Sequence, residues 1–202
     1  MGVTAICSGY KCCQAFLGPK VASAPAAGAD IVEAVRQTVG NLFWCMEENQ
    51  EHWLDRGGSQ PVPTFGPEQE LTAEAAPPNP GKSFELFRSG VKELGPILGS
   101  ILEQETHQEI SALATMDSGE FHFADELWVR ALYEFAAAYH HSVLNRDHIA
   151  QALVPLYRGR LYSYLRQHAE SVPEEMERGS EALCLEFERQ KPYLIERWNA
   201  KR

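Results

Sequence analysis

The chain has 202 residues and a mass of 22.6 kDa, with 44% hydrophobic and 23% charged residues, the balance of a globular protein long enough to bury one ordinary core. Its 28 acidic residues against 18 basic ones leave a formal net charge of -10, which opposes a nucleic-acid partner, since phosphate backbones are gripped by clustered Lys and Arg. No run of about 20 apolar residues is present to span a membrane, and the opening MGVTAICSGYKCC lacks the charged-then-apolar layout of a signal peptide; the expected location is cytoplasmic, with neither membrane nor nucleic acid as partner.

In chain order, the first element expected is a strand from Tyr10 to Leu17, bounded by Gly9 and Gly18 and the only good strand candidate. The five cysteines, Cys7, Cys12, Cys13, Cys45 and Cys184, lack metal-ligand spacing and read as reduced side chains filling small apolar sites. After a turn rich in Pro, Ala and Gly, a helix is expected from Asp30, its N-cap, to Gly57 and Gly58, with Ile31, Val35, Val39, Leu42, Met46 and Trp53 on one face. Residues 57–82 carry half of the twelve prolines and no clear period, as a functional or wrapping connection does.

Helical texture resumes at Ser83, with Phe84, Phe87, Val91 and Leu94 on one side, breaks at Pro96, and continues as a short helix over Ile97 to Leu113. In the block from Phe121 to Arg160, Trp128, Leu132, Phe135 and Tyr139 recur at helical spacing and make the wide apolar face of a bundle helix. Asn145 is the expected cap of a second helix, lined by Ile149, Leu153, Leu156, Leu161 and Leu165 and kinked at Pro155. Ser171, Pro173 and Glu174 open the last helix as a capping box with proline in the first turn, and Met176, Leu183, Phe187, Leu194 and Trp198 form its stripe. The fold class expected is mainly α, a helical bundle with a short N-terminal strand.

Chemistry-bearing patterns are sparse. His140 and His141 are adjacent and diverge by roughly 100° on a helix, and no His-Asp dipeptide occurs beside Asp147 and His148, so surface or capping histidines are favoured over a metal-dependent phosphohydrolase. No nucleophile elbow, P-loop or dinucleotide fingerprint is present. The glutamates of the last helix, among them Glu175, Glu177, Glu181, Glu186 and Glu188, read as a solvated face. Arg158, Arg160 and Arg166 are interleaved with Tyr157, Tyr162 and Tyr164; such a set can clamp a phosphate or carboxylate or serve the bundle through ion pairs and tyrosine caps, and the second use is favoured.

Several collinear segments resemble one family. TAICSGYKCCQAFLGPKV resembles the end of the catalytic domain of bacterial family-two, GT-A type glycosyltransferases, GADIVEAVRQTVGNLFWCMEE the first helix after it, and PVPTFG its proline-rich connection. FHFADELWVRALYEFAAAYHH, LNRDHIAQALVPLYRGR and KPYLIERW resemble its closing helices. The family's relatives are similar to mannosylglycerate and glucosyl-phosphoglycerate synthases. The resemblance implies residues 1–27 as the remnant of a GT-A domain and 28–202 as a C-terminal helical domain. It also implies transfer of a hexose from a nucleotide sugar to a small acidic acceptor, with Mg or Mn in the complete enzyme.

The donor-binding half, with its Asp-x-Asp motif, is expected upstream of Met1, as part of a longer gene or as a separately encoded partner. Where the family tends to place a His-Asp pair, this sequence has Ala22 and Ser23, which offer neither imidazole nor carboxylate to a metal. The isolated chain is therefore expected to bind no cofactor and to lack activity alone. It would supply acceptor-side groups, for which the candidates are His140, Tyr157, Arg158 and Arg160: arginine to hold the acceptor's charge, tyrosine as wall or hydroxyl. The alternative is a non-catalytic helical interaction module derived from the same family.

Overall fold

A computed structural model describes residues 2–17, 31–67, 80–169 and 171–200. Their order is α1 (Gly2–Cys7), β1 (Gln14–Ala15), α2 (Ile31–Glu48), α3 (Gln50–Trp53), β2 (Thr64–Phe65), α4 (Pro80–Glu93), α5 (Gly95–Ile101), α6 (Gln104–Leu113), α7 (Asp125–His140), α8 (Arg146–Gln167) and α9 (Pro173–Asn199). The chain is mainly α, as its periodicity implies, with one two-stranded parallel ladder among the described residues. No helix among the described residues is long and apolar enough to cross a membrane.

The bundle is built around α7. Leu127, Trp128, Val129, Ala131, Phe135, Ala136, Ala137, Ala138 and Tyr139 are all buried, more than one stripe can hold, because neighbours lie on several sides: α9 along one flank and α8 along another, with α2, α5 and α6 closing the rest. Ala131 and the run from Ala136 to Ala138 let those neighbours approach. The second large seam is α4 on α8, where Phe84 stacks on Tyr162 at 4.8 Å and both meet Phe121.

Four expectations are corrected. The N-terminal strand is shorter than expected and has a second strand beside it: within 10–17 only Gln14–Ala15 is strand, and it pairs in parallel with Thr64–Phe65 of the proline-rich connection. The Gln14 amide donates to the Pro63 carbonyl and the Phe16 amide to the Phe65 carbonyl, both at 2.9 Å. Gly66 has φ +92, and a Cβ there would stand 2.9 Å from the Phe16 carbonyl oxygen, so only glycine admits the ladder's close. Second, the helix expected to reach Gly57 stops at Glu48, where the Asn49 side chain donates to the Cys45 carbonyl at 2.7 Å and competes with the helical ladder; the segment expected at Ile97–Leu113 likewise divides into α5 and α6 at extended Leu102.

Third, α9 has Val172 as its N-cap and no side-chain cap hydrogen bond, so Ser171 does not close a capping box; Pro173 does occupy the first turn, where its missing amide costs nothing. Fourth, the cysteines are free but none is buried, and Cys13 and Cys184 are exposed. Asn145 behaves as its position implies, accepting from the Asp147 amide at 2.9 Å. Asp30, Ala22, Ser23 and the boundary between residues 27 and 28 lie outside the described residues.

Candidate functional site

The polar side chains gather where the C-terminal ends of α2, α7 and α9 meet. α7 ends in a Schellman turn: Ser142 takes φ 52, its amide donates to the Tyr139 carbonyl and that of Val143 to the Ala138 carbonyl, each at 3.1 Å. That turn sets His140 and His141 on two different neighbours. His141 Nε2 lies 3.0 Å from the Arg197 carbonyl oxygen of α9. His140 stacks flat on Trp198, ring centroids 4.1 Å apart and planes 8° from parallel.

His140 Nδ1 points at Glu47 on α2, 3.4 Å from its Oε1. That is long for a hydrogen bond, and Nδ1 is shielded from solvent with no other partner. Arg146, the first residue of α8, holds the same carboxylate at 2.8 Å and lies over the Tyr139 ring. Burial depresses the imidazole pKa below 6.5; Glu47 opposes this, while the charge of Arg146 and neighbouring His141 reinforce it. The neutral ring is the favoured form, oriented toward a carboxylate as a general base is. Trp198 is itself fixed, donating from Nε1 to Gln50 at 3.1 Å and meeting Trp53 edge-on at 5.0 Å.

A second polar group runs from the residue before Trp198 back about one turn along α9, to Tyr193. Arg197 pairs with Glu103, and Glu103 sits beside Glu134, an acid 1% exposed on α7. The Glu134 carboxyl group accepts from the Thr106 hydroxyl and the Tyr193 phenol, each at 2.6 Å, and from the Glu103 amide at 2.8 Å. Burial and then the adjacent Glu134 hold the Tyr193 phenol well above its ordinary pKa, so it remains a donor. Outside this group lies an open depression of about 430 Å³ lined by Glu103, Glu105, Tyr193, Glu196 and Arg197.

The candidate residues do not form one site. His140 lies at the Asn145 end of α8, whereas Tyr157, Arg158 and Arg160 lie roughly three turns further along that helix. Arg160 is engaged: Nη1 donates to the Phe123 carbonyl at 2.6 Å and Nη2 pairs with Asp125. With Ser163, whose hydroxyl accepts from the Phe123 amide at 3.0 Å, it brackets the peptide that leads into α7. Arg166 and Tyr162 donate to the Ser118 carbonyl in the same loop. Tyr157 packs against the core and Arg158 is half-buried. The arginine–tyrosine set thus works mainly on backbone carbonyls of residues 118–123.

The divalent metal implied by the family resemblance finds no fitting donor set here. Among the described residues no three His, Cys, Asp or Glu side chains converge, and of the two His–carboxylate pairs, His52 with Glu51 and His140 with Glu47, the second has the Arg146 cation where a third ligand would stand. Glu134 and its partners were not anticipated from sequence. The signal was present, since an acid in the middle of the apolar run from Ala131 to Tyr139 must find donors or stay out of the core. Comparison with protein-family models, curated proteins and solved structures found no match.

Proposed function

We propose that this chain is the C-terminal helical part of a nucleotide-sugar-dependent glycosyltransferase, acting in the cytoplasm with a donor-binding half that carries the metal site. The reading rests on the collinear resemblance of its segments, and one structural observation supports it. β1 and β2 are parallel and joined through a helical crossover, the connection from which α/β sheets are built. Parallel strands are normally covered on both faces, yet Gln14, Ala15, Thr64 and Phe65 are all exposed. A ladder two residues long has the form of a sheet margin that continues in a partner.

In this assembly the bundle supplies acceptor-side groups. With Arg160 engaged by Phe123 and Asp125, the role of holding an acidic acceptor falls to Arg158, with Tyr157 as wall; His140 serves a separate margin. The test joins the chain to a nucleotide-sugar-binding half carrying an Asp-x-Asp motif, sought in the DNA directly upstream, and follows hexose transfer. Transfer that requires both parts, with a raised acceptor KM in Arg158→Ala, is the expected result. Calorimetry of the chain alone with nucleotide sugars and Mn or Mg should show no binding; saturable heats there would overturn the assignment of the donor to another part.

A second reading, a helical interaction module, is favoured by α2, where Leu42 and Trp44 are each exposed. It requires a folded, monomeric chain that is silent in the joined assay yet retains a protein partner through one of these side chains.

A further inference from the structure

Further along α6 from the acidic depression, a groove of about 640 Å³ runs between α4 and α6. α4 contributes Glu85, Arg88 and Lys92, and α6 with its following turn contributes His107, Ser111 and Thr115. Both sets follow three- and four-residue spacings, so each lies along one helix face. The groove therefore opposes two fixed cations to an imidazole and two hydroxyls.

Its two cations have no carboxylate partner among the described residues, a situation they share with Arg166, which is held by the Ser118 and Gly119 carbonyls. In a chain of net charge -10, Arg36, Arg130, Arg146, Arg160, Arg189 and Arg197 all have carboxylate partners. Arg88 instead lies over the Phe84 ring and donates Nε to the Ala114 carbonyl at 3.0 Å, which fixes its planar fork at the groove's lip and leaves both Nη groups without a hydrogen-bond or ion-pair partner among the described residues. Lys92 likewise forms no ion pair among them, and Glu85, one turn before Arg88, does not neutralise it. A guanidinium anchored through Nε presents two parallel donors to an oxyanion, and the lysine four residues on adds a second charge. The Thr115 hydroxyl donates to the Ala112 carbonyl at 2.7 Å, which leaves its oxygen to accept, while half-buried Ser111 can donate. The volume falls within the range of small-ligand clefts.

We propose that the α4–α6 groove binds a small phosphomonoester of a polyol, of sugar-phosphate size, with the phosphate on Arg88 and Lys92 and the ligand's hydroxyls on His107, Ser111 and Thr115. Two cations favour a dianion over a carboxylate, and hydroxyl partners on the facing wall favour a polyol over bare phosphate. The inference stands apart from the glycosyltransferase reading, since it needs neither donor nor metal.

The test is an NMR titration of the full chain, at constant ionic strength, with glucose phosphate, inorganic phosphate and glucose. Saturable shifts at the amides of Lys92, Ser111 and Thr115 are expected, tightest for glucose phosphate and weakest for glucose. Lys92→Gln, a change at an exposed position that leaves folding intact, should weaken both phosphate ligands roughly tenfold; Ser111→Ala should weaken glucose phosphate alone. No saturation with glucose phosphate, equal affinity in Lys92→Gln, or shifts confined to another face would overturn the site. Inorganic phosphate binding as tightly as the sugar phosphate, with Ser111→Ala silent, would overturn its polyol half.

Discussion

Gly90 of α4 faces the ring of Pro155 on α8 so closely that a Cβ on the glycine would stand 2.6 Å from the proline's Cβ. One turn later the relationship is reversed: a Cβ on Gly159 of α8 would stand 2.6 Å from Cδ2 of Phe87 on α4. Each helix thus offers a bare backbone to a ring of the other, and the proline that removes a hydrogen bond from α8 also fills the gap. Gly90→Ala and Gly159→Ala should each destabilise the fold by about 1–3 kcal/mol through overpacking, despite the roughly 1 kcal/mol that alanine brings to a helix interior. Urea unfolding measures both; unchanged midpoints would mean that the seam yields without cost.

Periodicity made the helices legible, because burying one face of a 3.6-residue repeat leaves a regular trace in the chain. Phe84, Phe87, Val91, Trp128, Phe135, Ile149 and Leu153 all lie where that trace puts them, in the core. What escaped was decided between elements. Pro155 reads locally as a kink, and only the packed seam reveals it as a knob opposite Gly90. Arg160 reads either as an acceptor clamp or, as favoured, as an ion pair of the bundle; that its partners are Asp125 and the Phe123 carbonyl depends on where that backbone comes to rest. Arg88 and His107 are separated by a helix and a turn in sequence, so nothing short of the α4–α6 packing could set them across one groove.

The buried Glu134 carboxyl group gathers three hydrogen bonds. Removing it in Glu134→Ala leaves the buried Thr106 hydroxyl and the half-buried Tyr193 phenol and Glu103 amide without their acceptor, and should cost about 3–5 kcal/mol in denaturant unfolding. Glu134→Gln keeps one carbonyl acceptor and should cost less. Equal losses in the two variants would show that shape, not hydrogen bonding, retains this acid.

The turn after α7 carries a smaller, opposite prediction. Ser142 holds φ 52, a conformation that burdens any side chain with a Cβ and that glycine adopts freely. Ser142→Gly should raise stability by about 0.5–1 kcal/mol while keeping His140 on Trp198. A lower melting temperature would indicate that the serine side chain contributes something beyond its backbone.

His140 links protonation to the junction of α2, α7 and α9. Its folded-state pKa lies below 6.5, chiefly through burial, so the unfolded chain takes up a proton at a pH where the folded chain resists it. The resulting stability is fully present above about pH 6.5 and is lost as pH falls through the lower folded-state value. The groups facing the ring decide the direction: Glu47 at 3.4 Å favours the cation, but it is already shared with Arg146 at 2.8 Å, and His141 adds like charge. Carboxylates elsewhere also titrate on acidification, so the informative quantity is a difference. Between about pH 7.5 and 5.5, the wild-type chain should lose more thermal stability than His140→Gln, which keeps a planar group against Trp198 but takes up no proton. The same comparison with Glu47→Gln should steepen the wild-type loss, because the one group that favours the protonated ring is gone. Identical slopes in the wild type and His140→Gln would remove the imidazole from the pH response and leave its stacking on Trp198 as purely structural.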